Sequence, residues 1–73
     1  MNVGIIGFGY WGTNLVRNFA NLPGANLKTV VDKRPERARF LTTLCRTAVF
    51  STNPDDIIND PDIDAVVIAT PVF

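Results

Sequence analysis

The sequence predicts a doubly wound α/β fold with a parallel sheet of about four strands and helices on both faces. Short apolar runs of strand length alternate along the chain with stretches of helical periodicity. The last apolar run, Ala65–Ala69, is apolar throughout, which is typical of a parallel strand that is covered on both faces. Because alternating β and α elements connect through right-handed crossovers, the expected strand order is 3-2-1-4.

The first strand and the first helix have the clearest patterns. An apolar run at 3–6 predicts a buried strand that ends at Gly7. The helix that follows has one apolar face and is expected to end at the turn Pro23-Gly24. The residues of this apolar face are Trp11, Leu15, Val16, Phe19 and Leu22.

The later elements continue the alternation. A β-rich run at 27–31 predicts the second strand, and Pro35 suits the first position of a second helix. A brief third strand is expected at 47–50, after which Asn53 caps a short helix that leads to the fourth strand at 64–70. The inner face of the second helix is formed by Ala38, Leu41, Leu44 and Cys45.

Composition limits the chain to one small domain and excludes several kinds of chemistry. With 73 residues, of which 47% are hydrophobic and 19% charged, we expect a globular domain of marginal stability. Seven basic residues balance seven acidic ones, so no global field favours nucleic acid or an anionic membrane. The chain has no histidine, which excludes a histidine base or a histidine metal ligand within it, and no metal site is expected.

The cysteine count and the N-terminus favour a reducing compartment. The single Cys45 lies among apolar residues, and we interpret it as a small buried hydrophobic residue rather than a nucleophile. The first residues lack the basic start and the cleavage site of a signal peptide, and no apolar run is long enough to span a bilayer. We therefore expect a cytoplasmic protein.

The glycine-rich turn after the first strand predicts a nucleotide site. Gly7, Gly9 and Gly12 have the G-x-G-x-x-G spacing of dinucleotide-binding folds. The first glycine permits the tight turn, the second leaves room for a pyrophosphate, and the third lets the helix pack closely on the strand. Backbone amides near Tyr10 and Trp11, at the helix N-terminus, would bind the pyrophosphate. Of these two side chains, Tyr10 is the better candidate for ligand contact, because Trp11 begins the apolar helix face.

The end of the second strand strengthens this interpretation, since glycine-rich turns alone occur in many loops that bind nothing. Asp32 lies twenty residues after Gly12, where a carboxylate accepts hydrogen bonds from the adenosine ribose. The alternative is that Asp32 is only a polar strand end and the glycines only a turn. Because Asp32 would repel a 2′-phosphate, NAD is expected, with NADP as an alternative. The basic residues that follow would bind that phosphate or form a solvated helix face, and they are Lys33, Arg34, Arg37 and Arg39.

The end of the fourth strand has two interpretations. Thr70-Pro71 lies at the carboxyl edge of the sheet beside the first strand, where ligands bind in open α/β sheets. The alternative is that these residues only terminate the strand.

These segments resemble the Gfo/Idh/MocA family of NAD(P)-dependent oxidoreductases, which includes glucose-fructose oxidoreductase and inositol dehydrogenase. The resemblance covers essentially the whole chain and rests on Val3–Gly12, on Asp32 with Pro35–Ala38, and above all on Asp60–Pro71. It implies that residues 1–73 are the N-terminal part of a Rossmann dinucleotide-binding domain. The implied ligands are the pyrophosphate for the three glycines of the turn, the adenosine ribose for Asp32, and the nicotinamide ribose region for Thr70-Pro71.

The resemblance also implies the function. The chain would be the NAD(P)-binding portion of an oxidoreductase that transfers hydride between a nicotinamide and a sugar or nucleotide sugar, with a turn most like that of members acting on nucleotide sugars. Family members continue with a Glu-Lys-Pro segment and a substrate domain, so we expect no catalytic residues here and no turnover by the chain alone. The alternatives are a non-catalytic nucleotide-binding sensor or regulatory module, and a fragment that no longer binds cofactor. Without the next strand, the fourth strand has an unpaired edge, which predicts self-association.

Overall fold

Four strands form one sheet in the computed structural model of the chain, which describes residues 1–8 and 10–69 apart from the side chains of 10–13. The strands are β1 (Asn2–Ile6), β2 (Asn26–Val31), β3 (Val49–Ser51) and β4 (Ala65–Ile68). Their order is β3-β2-β1-β4, and every neighbouring pair is parallel. The α/β fold class and the strand order predicted from the sequence are therefore confirmed.

Helices connect the strands throughout the described part of the chain. They are α1 (Tyr10–Ala20), α2 (Ala38–Leu44) and α3 (Asp55–Ile58), and a 3₁₀ turn at Pro35–Arg37 leads directly into α2. Pro35 begins this turn, which confirms its predicted place at a helix start. Helix α1 ends before the predicted stop at Pro23-Gly24, and Leu22 lies beyond it with 50% of its surface exposed. Within residues 1–8 and 10–69, no helix has the length and apolar character that a bilayer span requires.

The start of α3 depends on a polar turn after β3, which begins two residues later than predicted. The Oδ1 atom of Asn53 accepts the backbone N–H of Asp55, the first residue of α3, at 3.0 Å, as predicted for a capping side chain, although the cap position itself is occupied by Pro54. The hydroxyl of Ser51 accepts the backbone N–H of Asn53 at 3.0 Å and bonds the carboxylate of Asp56. The bond from Asp55 occupies one of the N–H groups at the start of α3 that a four-residue helix cannot satisfy internally.

A β-bulge in β2 changes which face its residues present. Val3 pairs with Leu27, but the next residue of β1, Gly4, pairs with Thr29, so Lys28 is the extra residue. As a result Leu27 and Val30, three positions apart, lie in the same hydrophobic core. A regular strand would have placed them on opposite faces.

The main core lies between the sheet and helices α1 and α2. Ile5 and Val30, from the central strands, and Val16, from α1, are fully buried there. Leu41 contributes from α2 and is 2% exposed. Cys45 packs against this core but is only half-buried, so its predicted apolar environment is confirmed and its complete burial is not.

Helix α3 covers part of the opposite face. The side chain of Ile57 is 1% exposed and lies directly over Gly4, where an added Cβ would be 2.8 Å from Ile57 Cγ2. Val66 pairs with Gly4 and so belongs to the same face, but it is 45% exposed, and Ile68 is 70% exposed. Within the described residues this side of β4 is therefore uncovered, because the short α3 lies over β1 and β2.

The segment 60–64 ties the amino ends of three strands together. Lys28 Nζ lies 2.6 Å from Asp60 Oδ2 and 3.5 Å from Asp62 Oδ2. The backbone N–H of Asn2 donates to Asp64 Oδ2 at 2.7 Å, and the side-chain amide of Asn2 donates to the Asp62 carbonyl at 2.9 Å. Residues 60–64 are the first part of the segment Asp60–Pro71 that resembles the family. They lie at the end of the sheet opposite the glycine-rich turn, so their role is to stabilise the fold.

The ion pair between Lys28 and Asp60 predicts how stability changes with pH. The hydrogen bond between them lowers the pKa of Asp60 below its ordinary 3.8 and raises the pKa of Lys28 above 10.5. Asp60 therefore contributes stability above pH 3.8 that is lost as the pH falls through its lowered pKa, and Lys28 contributes stability below pH 10.5 that is lost as the pH rises through its raised pKa. Both effects should be small, because the pair lies at the surface, where solvent screens it.

Urea unfolding midpoints measured across the pH range check this prediction. Lys28→Met should remove the alkaline loss assigned to Lys28 and shrink the acid loss assigned to Asp60. An unchanged acid limb in Lys28→Met would show that Asp60 does not depend on this lysine.

Candidate functional site

The glycine-rich turn and the end of β2 meet at the carboxyl edge of the sheet. Gly7 has φ 102°, a backbone conformation that favours glycine. The tight turn therefore requires glycine at this position, as the sequence predicted. Its N–H donates to the Val31 carbonyl at 2.7 Å, which continues the β1–β2 ladder into the turn. The N–H of Asp32 donates to the Ser51 carbonyl at 3.0 Å and ties β2 to β3 at the same edge.

The Asp32 carboxylate holds the turn through backbone hydrogen bonds. Its Oδ2 accepts the N–H of Phe8 at 2.7 Å, and its Oδ1 accepts the N–H of Arg34 at 2.9 Å. The side chain is 12% exposed, so these charge-assisted bonds lie in a partly desolvated place. Each carboxylate oxygen has two lone pairs, so the two bonds from described residues use only part of the acceptor capacity of Asp32, and a diol could use what they leave.

Arg37 is the second charged group that contacts the turn. Its Nη1 donates to the carbonyl of Phe8 and lies 3.9 Å from Asp32 Oδ2. Sequence reasoning placed Arg37 only in a basic cluster for a 2′-phosphate and did not find this contact. The only feature of the sequence that could have indicated this contact is Pro35, which begins a turn that brings the chain back toward the end of β1. The contact itself depends on the tertiary fold.

The structure describes the other predicted site residues less completely. Lys33 and Arg34 are exposed next to Asp32, and only the backbone of Arg34 contacts it. Helix α1 begins at Tyr10, directly after the turn, so the helix N-terminus lies where the sequence predicted it. The side chains of Tyr10 and Trp11 and any contact of Gly12 lie outside the described part of the chain. Gly9, Thr70 and Pro71 also lie outside the described residues.

This edge of the sheet fits a dinucleotide. A carboxylate that accepts two backbone N–H groups from the described residues stands at the end of β2, beside a turn whose first glycine has positive φ. An eleven-residue helix starts immediately after the turn, so its free N–H groups and the positive end of its dipole are directed to this edge. These three features are what a pyrophosphate joined to a ribose requires, and no cationic side chain has to supply the phosphate contacts.

The family model described as an oxidoreductase family with an NAD-binding Rossmann fold matches residues 1–73. The chain belongs to the Gfo/Idh/MocA family. An inositol 2-dehydrogenase of Acidothermus cellulolyticus is 35% identical to this Gfo/Idh/MocA chain over 71 residues, which are 96% of the chain and 21% of the relative.

Solved structures agree with the family assignment. Scyllo-inositol dehydrogenase from Lactobacillus casei, with bound NAD(H) and scyllo-inositol, superposes with a TM-score of 0.84 at 26% identity and is matched by 97% of this chain, over 21% of its own. GenD2 from gentamicin A biosynthesis, in complex with NAD, gives a TM-score of 0.85 at 28% identity, over 97% of this chain and 20% of its own. The Gfo/Idh/MocA chain therefore spans about a fifth of the length of these relatives and is an NAD-binding Rossmann domain.

Proposed function

We propose that the chain is the NAD-binding portion of an oxidoreductase that transfers hydride between a nicotinamide and a carbon of a polyol or sugar. The observation that carries this proposal is the Asp32 carboxylate, which lies at the end of β2 against the glycine-rich turn and keeps free acceptor capacity. The inositol dehydrogenases among the relatives support a cyclic polyol or sugar as substrate. The comparisons give no support to a non-catalytic sensor.

The proposed residue roles follow the geometry of the turn. Gly7, Gly9 and Gly12, with the α1 amides near Tyr10 and Trp11, would bind the pyrophosphate. Asp32 would accept the hydroxyls of the adenosine ribose. By resemblance to the family, Thr70-Pro71 would lie near the nicotinamide ribose.

The same geometry favours NAD over NADP. The Asp32 carboxylate is partly buried, and a 2′-phosphate placed against it would meet a like charge with little screening. Arg37, one cation of the proposed phosphate cluster, already bonds the Phe8 carbonyl. Lys33, Arg34 and Arg39 remain as exposed cations that would serve NADP as the alternative cofactor.

Catalysis would need groups outside this chain. When bound, the nicotinamide supplies the hydride chemistry, and the protein supplies binding and orientation. We propose that the catalytic residues and the substrate domain belong to the remainder of a longer protein, as in relatives about five times longer. The interpretation of residues 1–73 as the N-terminal part of the cofactor domain and the cytoplasmic location stay predictions.

A titration of the chain with NADH, and separately with NADPH, tests the proposed function. The chain has one tryptophan, Trp11, directly after the turn, so its emission is a local reporter of cofactor binding. Circular dichroism first establishes that the chain is folded. We expect saturable quenching at lower concentrations of NADH than of NADPH, and a flat titration of the folded chain with NADH would contradict the proposal.

We also propose that the chain self-associates through β4. This strand ends the sheet, and Val66 and Ile68 leave its outer face exposed, so both its backbone edge and its side chains lack cover within the described residues. A second copy can pair antiparallel with β4 about a twofold axis perpendicular to the sheet. Such an axis keeps each face on its own side, so the exposed side chains of both copies form one continuous apolar patch.

Light scattering coupled to size exclusion tests the association. The wild-type chain should shift from monomer toward dimer with rising concentration, and Ile68→Lys should stay monomeric because it puts a charge in the proposed interface. Phe40→Lys is the matched control, since Phe40 is a similarly exposed apolar residue (58%) on α2. A wild-type chain that stays monomeric at high concentration would exclude the proposed pairing.

A further inference from the structure

Phe8, the residue before the second glycine of the turn, is fixed through its N–H, its carbonyl and its aromatic ring. The N–H of Phe8 donates to Asp32 Oδ2 at 2.7 Å, and its carbonyl accepts from Arg37 Nη1. Its aromatic ring is 2% exposed and belongs to the main core. Both backbone polar groups of Phe8 are therefore bonded to charged side chains, at the position that leads into Gly9.

The side chains of Arg37 and Asp32 also form an ion pair with each other. Arg37 Nη1 lies 3.9 Å from Asp32 Oδ2, and the two side chains are 27% and 12% exposed. Guanidinium offers five N–H donors in a rigid planar fork, so Arg37 can bond the carbonyl and stay beside the carboxylate together. A lysine has a single ammonium on a flexible stem and can keep one of these contacts more easily than both.

We propose that Arg37 is a positioning residue for the cofactor site, holding the Phe8 carbonyl and the Asp32 carboxylate so that the turn and the ribose acceptor keep one geometry before cofactor binds. The inference rests on the proposed function and deepens it. It assigns Arg37 a role other than the receipt of a 2′-phosphate, because its Nη1 is committed to the Phe8 carbonyl. Arg37 acts on the cofactor through Phe8 and Asp32 rather than by touching it.

The two roles predict different effects on the two cofactors. If Arg37 positions the turn, its loss weakens NADH binding, because NADH uses the same turn and the same carboxylate. If Arg37 is instead a ligand of the 2′-phosphate, its loss weakens NADPH binding and leaves NADH binding unchanged, since NADH has no such phosphate. NADH affinity is therefore the deciding measurement.

The experiment compares Arg37→Met and Arg37→Lys with the wild-type chain by Trp11 emission during NADH titration. Loss of one charge-assisted hydrogen bond in a partly buried place predicts about tenfold weaker NADH binding for Arg37→Met, with Arg37→Lys between it and wild type. Arg46→Met is the matched control, because it removes one exposed arginine that lies after α2 and away from the turn. It should bind NADH as wild type does.

Amide hydrogen exchange on the cofactor-free chain separates local positioning from general stability. In Arg37→Met the amides of Phe8 and Arg34 should exchange faster, while the amide of Val30 in the central sheet keeps its wild-type protection. Equal loss of protection at Val30 would make Arg37 a general stabilising residue and overturn the inference. Wild-type NADH affinity in Arg37→Met would overturn it and leave the proposed function intact, whereas a folded wild-type chain that binds no NADH would overturn both.

Discussion

Gly4→Val is expected to unfold the chain or leave it close to unfolding under conditions where the wild type is stable. A Cβ at position 4 would lie 2.8 Å from Ile57 Cγ2, closer than real Cβ contacts, and 3.0 Å from Ile57 Cδ1, which is also tight. Ile57 is 1% exposed and β-branched, so it has neither room nor rotamer freedom to withdraw. Overpacking costs about 1–3 kcal/mol, and the two further methyl groups of valine put the expected loss at the upper end or above.

Such a loss is large for a domain of this size. Small domains have free energies of unfolding near the lower end of roughly 5–15 kcal/mol, so the folded fraction itself should fall. Urea unfolding followed by circular dichroism measures the change as a lower midpoint. The control is Gly4→Val combined with Ile57→Ala, which removes the clashing side chain and should be more stable than the sum of the single changes predicts. A wild-type midpoint for Gly4→Val would show that α3 does not press on β1.

Asp32→Ala is expected to lower NADH affinity in the Trp11 titration about 100-fold, a change of about 2.7 kcal/mol. The substitution removes the proposed acceptor of the ribose hydroxyls, and hydrogen bonds to charged groups contribute about 1.5–3 kcal/mol each. It also leaves the N–H groups of Phe8 and Arg34 without their acceptor, so the turn loses part of its support. The ratio of NADPH to NADH affinity should rise, because the carboxylate that repels a 2′-phosphate is gone.

Two further variants separate the charge of Asp32 from its hydrogen bonds. Asp32→Asn keeps one acceptor oxygen but replaces the other by an NH₂ group, which cannot accept a backbone N–H, and an intermediate affinity is expected. Asp55→Ala removes an exposed carboxylate at the start of α3 and should leave NADH affinity unchanged. An Asp32→Ala chain that binds NADH like wild type would place the ribose elsewhere.

The sheet could be predicted because its signals are local. Each apolar run is contiguous in sequence, and the rule for right-handed crossovers turns the alternation of strands and helices into one strand order. The glycine spacing and Asp32 were likewise readable, because the motif fixes both the residue types and their distance along the chain. The positive φ of Gly7 and the place of Asp32 against Phe8 agree with that motif.

The remaining features depend on contacts that no local pattern encodes. The bulge at Lys28 shifts the phase of β2, so period-two alternation fails there. The exposure of Val66 and Ile68 depends on which strands α3 covers, and a continuous apolar run does not contain that information. The contact of Arg37 with Phe8 joins residues 29 positions apart, and it required the turn at Pro35 to be placed in three dimensions.

The tie between Asn2 and Asp64 has a consequence for the order of assembly during synthesis. It joins residues 62 positions apart, and β1, which is synthesised before the other three strands, lies inside the sheet between β2 and β4. One edge of β1 therefore stays unpaired until β4 (Ala65–Ile68) has been synthesised. Since distant pairing is slow to form, the backbone edge of β1 that faces β4 stays open while the segments between the two strands are synthesised, and early residues depend on later ones for protection.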